Sequence, residues 1–289
     1  FFFRCSIVRC CGTWHRGGTM GKLSRDKRDI FYRKAKESGY RARSAYKLLQ
    51  IDAEFNLFGE RSESGGEDES DQDETPDDNG KGVEDSDGRK RRPLLAVRRA
   101  VDLCAAPGGW SQVLAERMMR KDDQKDGAPD RDEDCEGDAA APAIVAVDLW
   151  PMEPLPGVHF IRGDITSQET AKAIIEHFCG RRAELVVCDG APDVTGLRSF
   201  DEYVQSQLLL SAINITTRVL SPGGTLVAKI FRGRDVGLIY AQLLLLFGDV
   251  KCAKPTASRN ASIESFVVCR GFGQGRLVEE RCLDLELEG

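Results

Sequence analysis

The chain has 289 residues and a mass of 31.9 kDa, enough to bury a sizeable core. Its composition, 41% hydrophobic and 30% charged, is that of a globular protein, and it contains no run of about 18 apolar residues to cross a membrane as a helix. The net charge of −6 conceals a basic body: segments 60–88 and 120–141 hold 22 of the 47 acidic residues and 6 of the 41 basic ones, which leaves +10 on the other 238 positions and points to a polyanionic partner.

Residues 1–19 read poorly as structure. The apolar stretch is short and broken by Arg4 and Arg9, which argues against a secretory signal. Met20-Gly-Lys looks like a natural start, so 1–19 reads as an upstream artefact or a disordered leader; the alternative is a mitochondrial transit peptide. Residues 22–47 carry ten Lys/Arg and three Asp/Glu with Phe31, Tyr32, Tyr40 and Tyr46 among them. They predict two short helices broken at Gly39. A solvated basic face is the plain alternative, but interleaved aromatics favour nucleic acid, where bases stack while phosphates pair with Lys and Arg. Residues 59–90 contain one aliphatic residue, Val83, and cannot offset the entropy of ordering, so they read as a disordered acidic insertion. Residues 120–141 are of the same kind.

Elsewhere short apolar runs appear at 99–104, 143–148, 158–161, 184–189, 224–231 and 263–269, most of them separated by helical stretches. In 201–220, Val204, Leu208, Ala212, Ile215 and Val219 recur on one helical face, and Ser199 with Glu202 predicts a capping box. Alternating strands and helices predict an α/β fold with a doubly wound, mostly parallel sheet, whose ligands bind beyond the carboxyl ends of the strands. Three histidines (His15, His159, His177) and ten cysteines without a C-x-x-C pair offer no metal-ligand pattern, and none is expected to bind metal. Cys104, Cys188 and Cys269, in apolar runs, read as reduced buried thiols.

The strand ends carry the chemistry. The first run leads into Ala-Ala-Pro-Gly-Gly-Trp (105–110), where glycine lets the backbone approach a nucleotide-like ligand without the dinucleotide fingerprint G-x-G-x-x-G. Asp148 ends the second run and is placed for ribose hydroxyls; Asp164 follows the third and Asp189 the fourth. Singly each is as well explained as a loop carboxylate. Together they suit a ligand with hydroxyls, an amino group and a cationic centre, and they repel phosphate. Lys229 in Leu-Val-Ala-Lys-Ile-Phe and Glu264 in Ser-Ile-Glu-Ser-Phe interrupt apolar strands, which costs desolvation unless they are paired or functional.

These residues, in VDLCAAPGGWSQVL, AVDLWPM, GDIT, VVCDGAPDVTG, PGGTLVAKIFRG and SRNASIESFVVC, resemble the FtsJ-like (RlmE-like) ribose 2′-O-methyltransferases, over about Met20 to Phe272 apart from the two insertions. RSAYKLLQIDAEFNLF, CDGAPDVTGL and CAKP-x-x-SRN are most similar to the eukaryotic cytosolic branch, which methylates the tRNA anticodon loop. The resemblance implies a Rossmann-like class I methyltransferase, a mostly parallel seven-stranded sheet flanked by helices, with a basic N-terminal helical extension. It divides the chain into a leader (1–19), RNA-binding N-terminal helices (20–58), an acidic insertion (59–93), a methyltransferase core (94–272, interrupted at 120–141) and a C-terminal tail (273–289). It implies S-adenosylmethionine as cofactor, held by Gly108, Trp110, Asp148, Asp164 and Asp189, and a catalytic tetrad of Lys47, Asp189, Lys229 and Glu264. In that reading Lys229 takes the proton of a ribose 2′-hydroxyl, or stabilises charge on its oxygen while water takes the proton, and Asp189 and Glu264 orient the lysines. The implied substrate is tRNA at positions 32 and 34, in the cytoplasm, with a WD-repeat protein and a helical-repeat protein as auxiliary partners. An rRNA or mRNA-cap 2′-O-methyltransferase would carry the same tetrad. An RNA-binding factor with a silent site and a NAD-dependent oxidoreductase are the readings from other classes.

Overall fold

The computed structural model describes residues 30–59, 97–122, 143–192, 195–233, 236–258 and 262–275. The predicted leader, both acidic insertions beyond their margins and the C-terminal tail after 275 lie outside the described residues.

Two helices, α1 (Ile30–Glu37) and α2 (Ala45–Phe55), stand on either side of Gly39, whose φ of +75° is a conformation few side chains tolerate. Then follow β1 (Ala100–Leu103), α3 (Gly109–Asp122), β2 (Ile144–Asp148), β3 (Val158–Arg162), α4 (Gln168–His177), β4 (Ala183–Cys188), α5 (Arg198–Val219), β5 (Leu220–Phe231), α6 (Val236–Leu246), β6 (Phe247–Ala253) and β7 (Glu264–Phe272). The strands form one seven-stranded sheet in the order β3-β2-β1-β4-β5-β7-β6. All neighbours are parallel except β7, which runs antiparallel between β5 and β6. β1, β2 and β4 are buried at every residue, which is why they read as apolar runs with a single acid in each, Asp102, Asp148 and Glu184.

Each face of the sheet carries its own core. On one, Ile174 of α4, Leu209 and Ile215 of α5 and Leu243 of α6 cover Val186 and Ala228. On the other, Leu48 and Ile51 of α2 and Trp110 and Leu114 of α3 cover Leu185, Val187, Val227 and Phe266. Burying one Leu or Ile side chain is worth about 1.5–3 kcal/mol, so the two layers together hold the sheet against its ordering entropy. Among the described residues no helix is long and apolar enough to cross a membrane.

Three expectations change. The capping box at Ser199 is not formed: α5 starts at Arg198, and Asp201 instead folds back to accept the N–H groups of Thr195 (2.8 Å) and Gly196 (3.2 Å) and the Thr195 hydroxyl (2.8 Å). These bonds, the Thr195 N–H first, hold the Asp201 carboxyl below the usual carboxylate range. The apolar stripe of α5 has the expected period but not a single destination. Ala212, Ile215 and Val219 enter the core, whereas Val204 and Leu208 line a cavity at the carboxyl ends of the strands. Finally, of the three cysteines read as buried, Cys188 and Cys269 are buried but Cys104 is only half-buried, and none of the described cysteines forms a disulfide.

Candidate active site

Four charged side chains from four elements meet at the carboxyl ends of β4 and β5. Lys47 is the third residue of α2, Asp189 follows β4 directly, Lys229 lies near the end of β5, and Glu264 opens β7. Pairing brings them together: Cys188 is level with Ala228, so the next residues, Asp189 and Lys229, are neighbours, and antiparallel pairing sets Glu264 opposite Phe231. Lys229 Nζ lies 2.6 Å from Asp189 Oδ1 and donates to the Asp189 carbonyl at 2.8 Å. Lys47 Nζ donates to Glu264 Oε1 and stands 3.6 Å from Asp189 Oδ1, with the Phe266 ring 5.5 Å beneath it. Glu264 Oε1 closes the ring at 3.7 Å from Lys229. Two cations alternate with two anions, so the ring is neutral when all four are ionised. That balance permits both lysines to be more than 90% buried.

Beside the ring, a cavity opens at the ends of β1, β2 and β3, walled by Cys104, Asp148, Asp164, Pro192 and the α5 side chains. Each Asp148 oxygen accepts one backbone N–H at 2.9 Å, from Ala106 and from Trp150. A carboxylate oxygen accepts about two bonds, so each keeps capacity for a ligand hydroxyl. Asp164 Oδ1 accepts the N–H (2.9 Å) and hydroxyl (2.8 Å) of Thr166. The described wall holds two carboxylates and no Lys or Arg, which suits hydroxyl and amino groups and disfavours phosphate. The turn is tight: Cys104 adopts φ +58°, and a Cβ at Gly190 would come within 2.9 Å of its sulfur. Position 190 therefore has to be glycine for β1 and β4 to approach there.

The other two residues expected at the cofactor lie off this wall. Trp110 is 2% exposed in the core, donating its indole N–H to the Ser44 carbonyl (2.8 Å) and packing on Phe266. Gly108, at φ +103°, faces Met152, Arg41 and Leu155. Asp189 sits in the ring next to the cavity.

Some residues that matter here gave no sequence signal. Gln205, 3% exposed, donates to the carbonyls of Lys229 (3.0 Å) and Gly190 (3.3 Å), so α5 braces two strand ends of the site. Arg41 donates to the carbonyls of Glu153 (2.6 Å), Pro154 (2.8 Å) and Pro107 (3.3 Å), tying the N-terminal helices to two turns. Asp102 of β1, 1% exposed, accepts the Ser111 hydroxyl at 2.6 Å. Burial pushes its carboxyl up to about 7; the Ser111 bond pulls down, and the charges of Asp189 and Asp148 push up.

The N-terminal aromatics are more structural than expected. Tyr46 packs on Phe31 and Tyr40, with centroids 5.7 Å apart in each pair. The Tyr40 hydroxyl donates to Glu116 at 2.5 Å, and burial followed by that carboxylate pushes it up to about 12. Lys34 and Lys36 extend over Phe31 and Tyr32.

Residues 40–272 match the family profile of the FtsJ-like methyltransferases. A human tRNA (cytidine(32)/guanosine(34)-2′-O)-methyltransferase is 51% identical over 253 residues, covering 88% of this chain and 60% of that protein. A Schizosaccharomyces pombe protein of the same description is 48% identical, covering 88% of this chain and 73% of that one. The chain thus spans about three fifths of the human relative's length. A crystal structure of a Plasmodium falciparum protein described as a ribosomal RNA methyltransferase superposes with a TM-score of 0.55 at 21% identity, over 82% of this chain and all of that one, and shares its fold.

Proposed function

The chain belongs to the FtsJ-like methyltransferases, and on that premise we propose that it transfers a methyl group from S-adenosylmethionine to ribose 2′-hydroxyls of the tRNA anticodon loop, at positions 32 and 34. The observation that carries the chemistry is the buried, neutral ring of Lys47, Asp189, Lys229 and Glu264 beside a carboxylate-walled cavity. The choice of substrate rests on the names of the relatives that are about half identical.

S-adenosylmethionine would supply a methyl carbon activated by a sulfonium charge. Asp148 and Asp164 would hold its hydroxyl and amino groups, and neither carboxylate's surroundings would accept a phosphate cofactor in its place. The chain's own residues orient the other reactant. Asp189 fixes Lys229 at two points, through carbonyl and carboxylate, so the amine points at a defined spot above the end of β5. For transfer Lys229 first loses its own proton to solvent, and a ribose 2′-hydroxyl seated there then gives its proton to the neutral amine as its oxygen attacks. Lys47 and Glu264 keep the ring neutral and aligned, with Lys47 arriving from the basic N-terminal helices that face the RNA. Holding both reactants in line contributes about 7–11 kcal/mol to lowering the barrier. The proposal extends to cytoplasmic action with two auxiliary subunits, a WD-repeat protein and a large helical-repeat protein, supported by the resemblance of the motifs to the eukaryotic cytosolic branch.

The test is nucleoside mass spectrometry of tRNA from cells lacking the protein. Loss of 2′-O-methylation at positions 32 and 34 is expected, restored by the intact gene and not by Lys229→Ala. Unchanged tRNA with hypomethylated rRNA would overturn the substrate.

A further inference from the structure

Asp102 takes no part in the ring, yet it lies at the middle of the sheet directly behind the site. In β1 it is level with Ala146 of β2 and Val187 of β4. Asp148 and Asp189 follow those partners by two residues. Alternation along a strand puts all three carboxylates on one face, with Asp102 a single pleat behind the other two. The ionisable groups of the elements packed around it are engaged elsewhere or are anions. From α3, Glu116 takes Tyr40 and Arg117 pairs with Asp52. From β4, Glu184 pairs with Arg99, leaving Asp189; from β2 there is Asp148. The nearest cations, Lys47 and Lys229, are bound to Asp189 and Glu264. Ionised, Asp102 therefore has only the hydroxyl and backbone N–H of Ser111 to set against two anions among the described residues.

The strand order decides what changes this. The cavity with Asp148 and Asp164 lies at β2 and β3, and the ring lies at β4, β5 and β7; β1 stands between them. A cationic centre delivered from the cavity to the ring has to pass over the end of β1, in front of Asp102.

We propose that Asp102 is a positioning residue that couples cofactor exchange to a proton: it releases its proton to solvent when a sulfonium cofactor enters, and regains one when the sulfonium has become a thioether. The inference rests on the methyltransferase reading above. On entry, a neutral acid and a free cation become a carboxylate–cation pair, and one proton leaves. On transfer the cation is lost with the methyl group, the carboxylate is again uncompensated, and it takes up a proton. The cycle as a whole still releases only the proton of the methylated hydroxyl. The cleft thereby binds the charged cofactor more tightly than the spent one without a fixed extra anion to retain either. Burial, which raises the Asp102 carboxyl to about 7, places the exchange near neutral pH.

The experiment is calorimetric titration of the full chain with S-adenosylmethionine and with S-adenosylhomocysteine, each in two buffers of different ionisation enthalpy. At pH 7 about half a proton should be released per S-adenosylmethionine bound, and close to none per S-adenosylhomocysteine. Affinity for S-adenosylmethionine should rise roughly tenfold from pH 6 to pH 8, and Asp102→Asn should remove both effects. Equal proton release with the two ligands, or release that survives Asp102→Asn, would overturn the inference. Should Asp102→Asn fail to fold, the difference between the two ligands on the unaltered protein still decides. Binding of S-adenosylmethionine without proton release sinks this inference alone, whereas no binding at any pH sinks the methyltransferase reading with it.

Discussion

Lys229 sits in a stretch of β5 in which every residue from Gly224 to Ile230 is buried, and Asp189 holds its amine from two sides. Lys229→Ala should lower single-turnover transfer of labelled methyl to unmodified tRNA by about 10²–10⁴-fold, with cofactor affinity nearly unchanged. Lys229→Arg should fail as well, because a guanidinium stays protonated and cannot receive the hydroxyl's proton. Rates retained by the arginine variant alone would recast Lys229 as a stabiliser of charge. Asp102 gives a second residue-level expectation, read in the protein without ligand. Its folded value, about 7, lies above its unfolded value of 3.8, so between those pH values the native state keeps a proton that the unfolded chain has lost. Stability should fall as pH rises across that window, by about 4 kcal/mol in total. Asp102→Asn carries no such charge, and chemical denaturation at pH 5 and pH 8 should show its advantage over the natural protein growing with pH.

The helices α1 and α2 join two tasks, since Lys47 completes the ring while Lys34 and Lys36 stand outward over aromatic rings. Reversing Lys34 and Lys36 to Glu should weaken tRNA binding and flatten its salt dependence, leaving cofactor affinity as it was. Filter binding over a salt series checks this, and unaltered affinity at low salt would contradict it. Element by element, the sequence announced most of the sheet. β1, β2 and β4 were legible because burial on both faces leaves runs that are apolar but for one acid each. β6 was not: it follows the leucines of α6 without a turn, and at the sheet's edge it carries Asp249 and Lys251 among its apolar residues. The rotation of the α5 stripe was hidden too, because a cavity wall and a core demand the same apolar residues at the same spacing. Lys229 and Glu264 stood out as charges in apolar strands and Asp189 as an acid at a strand end, whereas Lys47, in a helix, was reached only through the family pattern. Asp102 escaped notice because attention to strand ends passes over an acid one pleat inside, and spacing does not tell which carboxyl is deprived of water.

For the molecule as a whole, charge is distributed by segment. The basic body carries +10 once the two acidic stretches are set aside, and apart from 120–122 at the end of α3 both stretches lie outside the described residues. Both core clusters on the faces of the sheet are built within the described residues. Replacing 60–88 and 120–141 by short Gly/Ser linkers should leave the melting temperature within a few degrees, roughly the shift that 1 kcal/mol produces in a domain of this size. A collapse in stability would show that they pack on the fold, and tighter tRNA binding would show that they compete with RNA for the basic surface. The place of β7 has a consequence for the birth of the protein. Among the described residues it is the last strand of the sheet in chain order, yet it fills the gap between β5 and β6 and brings Glu264. A nascent chain that has not reached it exposes β5 as an open edge, leaves β6 nothing to pair with and lacks one acid of the ring. Contacts so distant in sequence form late. A chain cut short anywhere upstream of β7 thus has neither a closed sheet nor a complete ring.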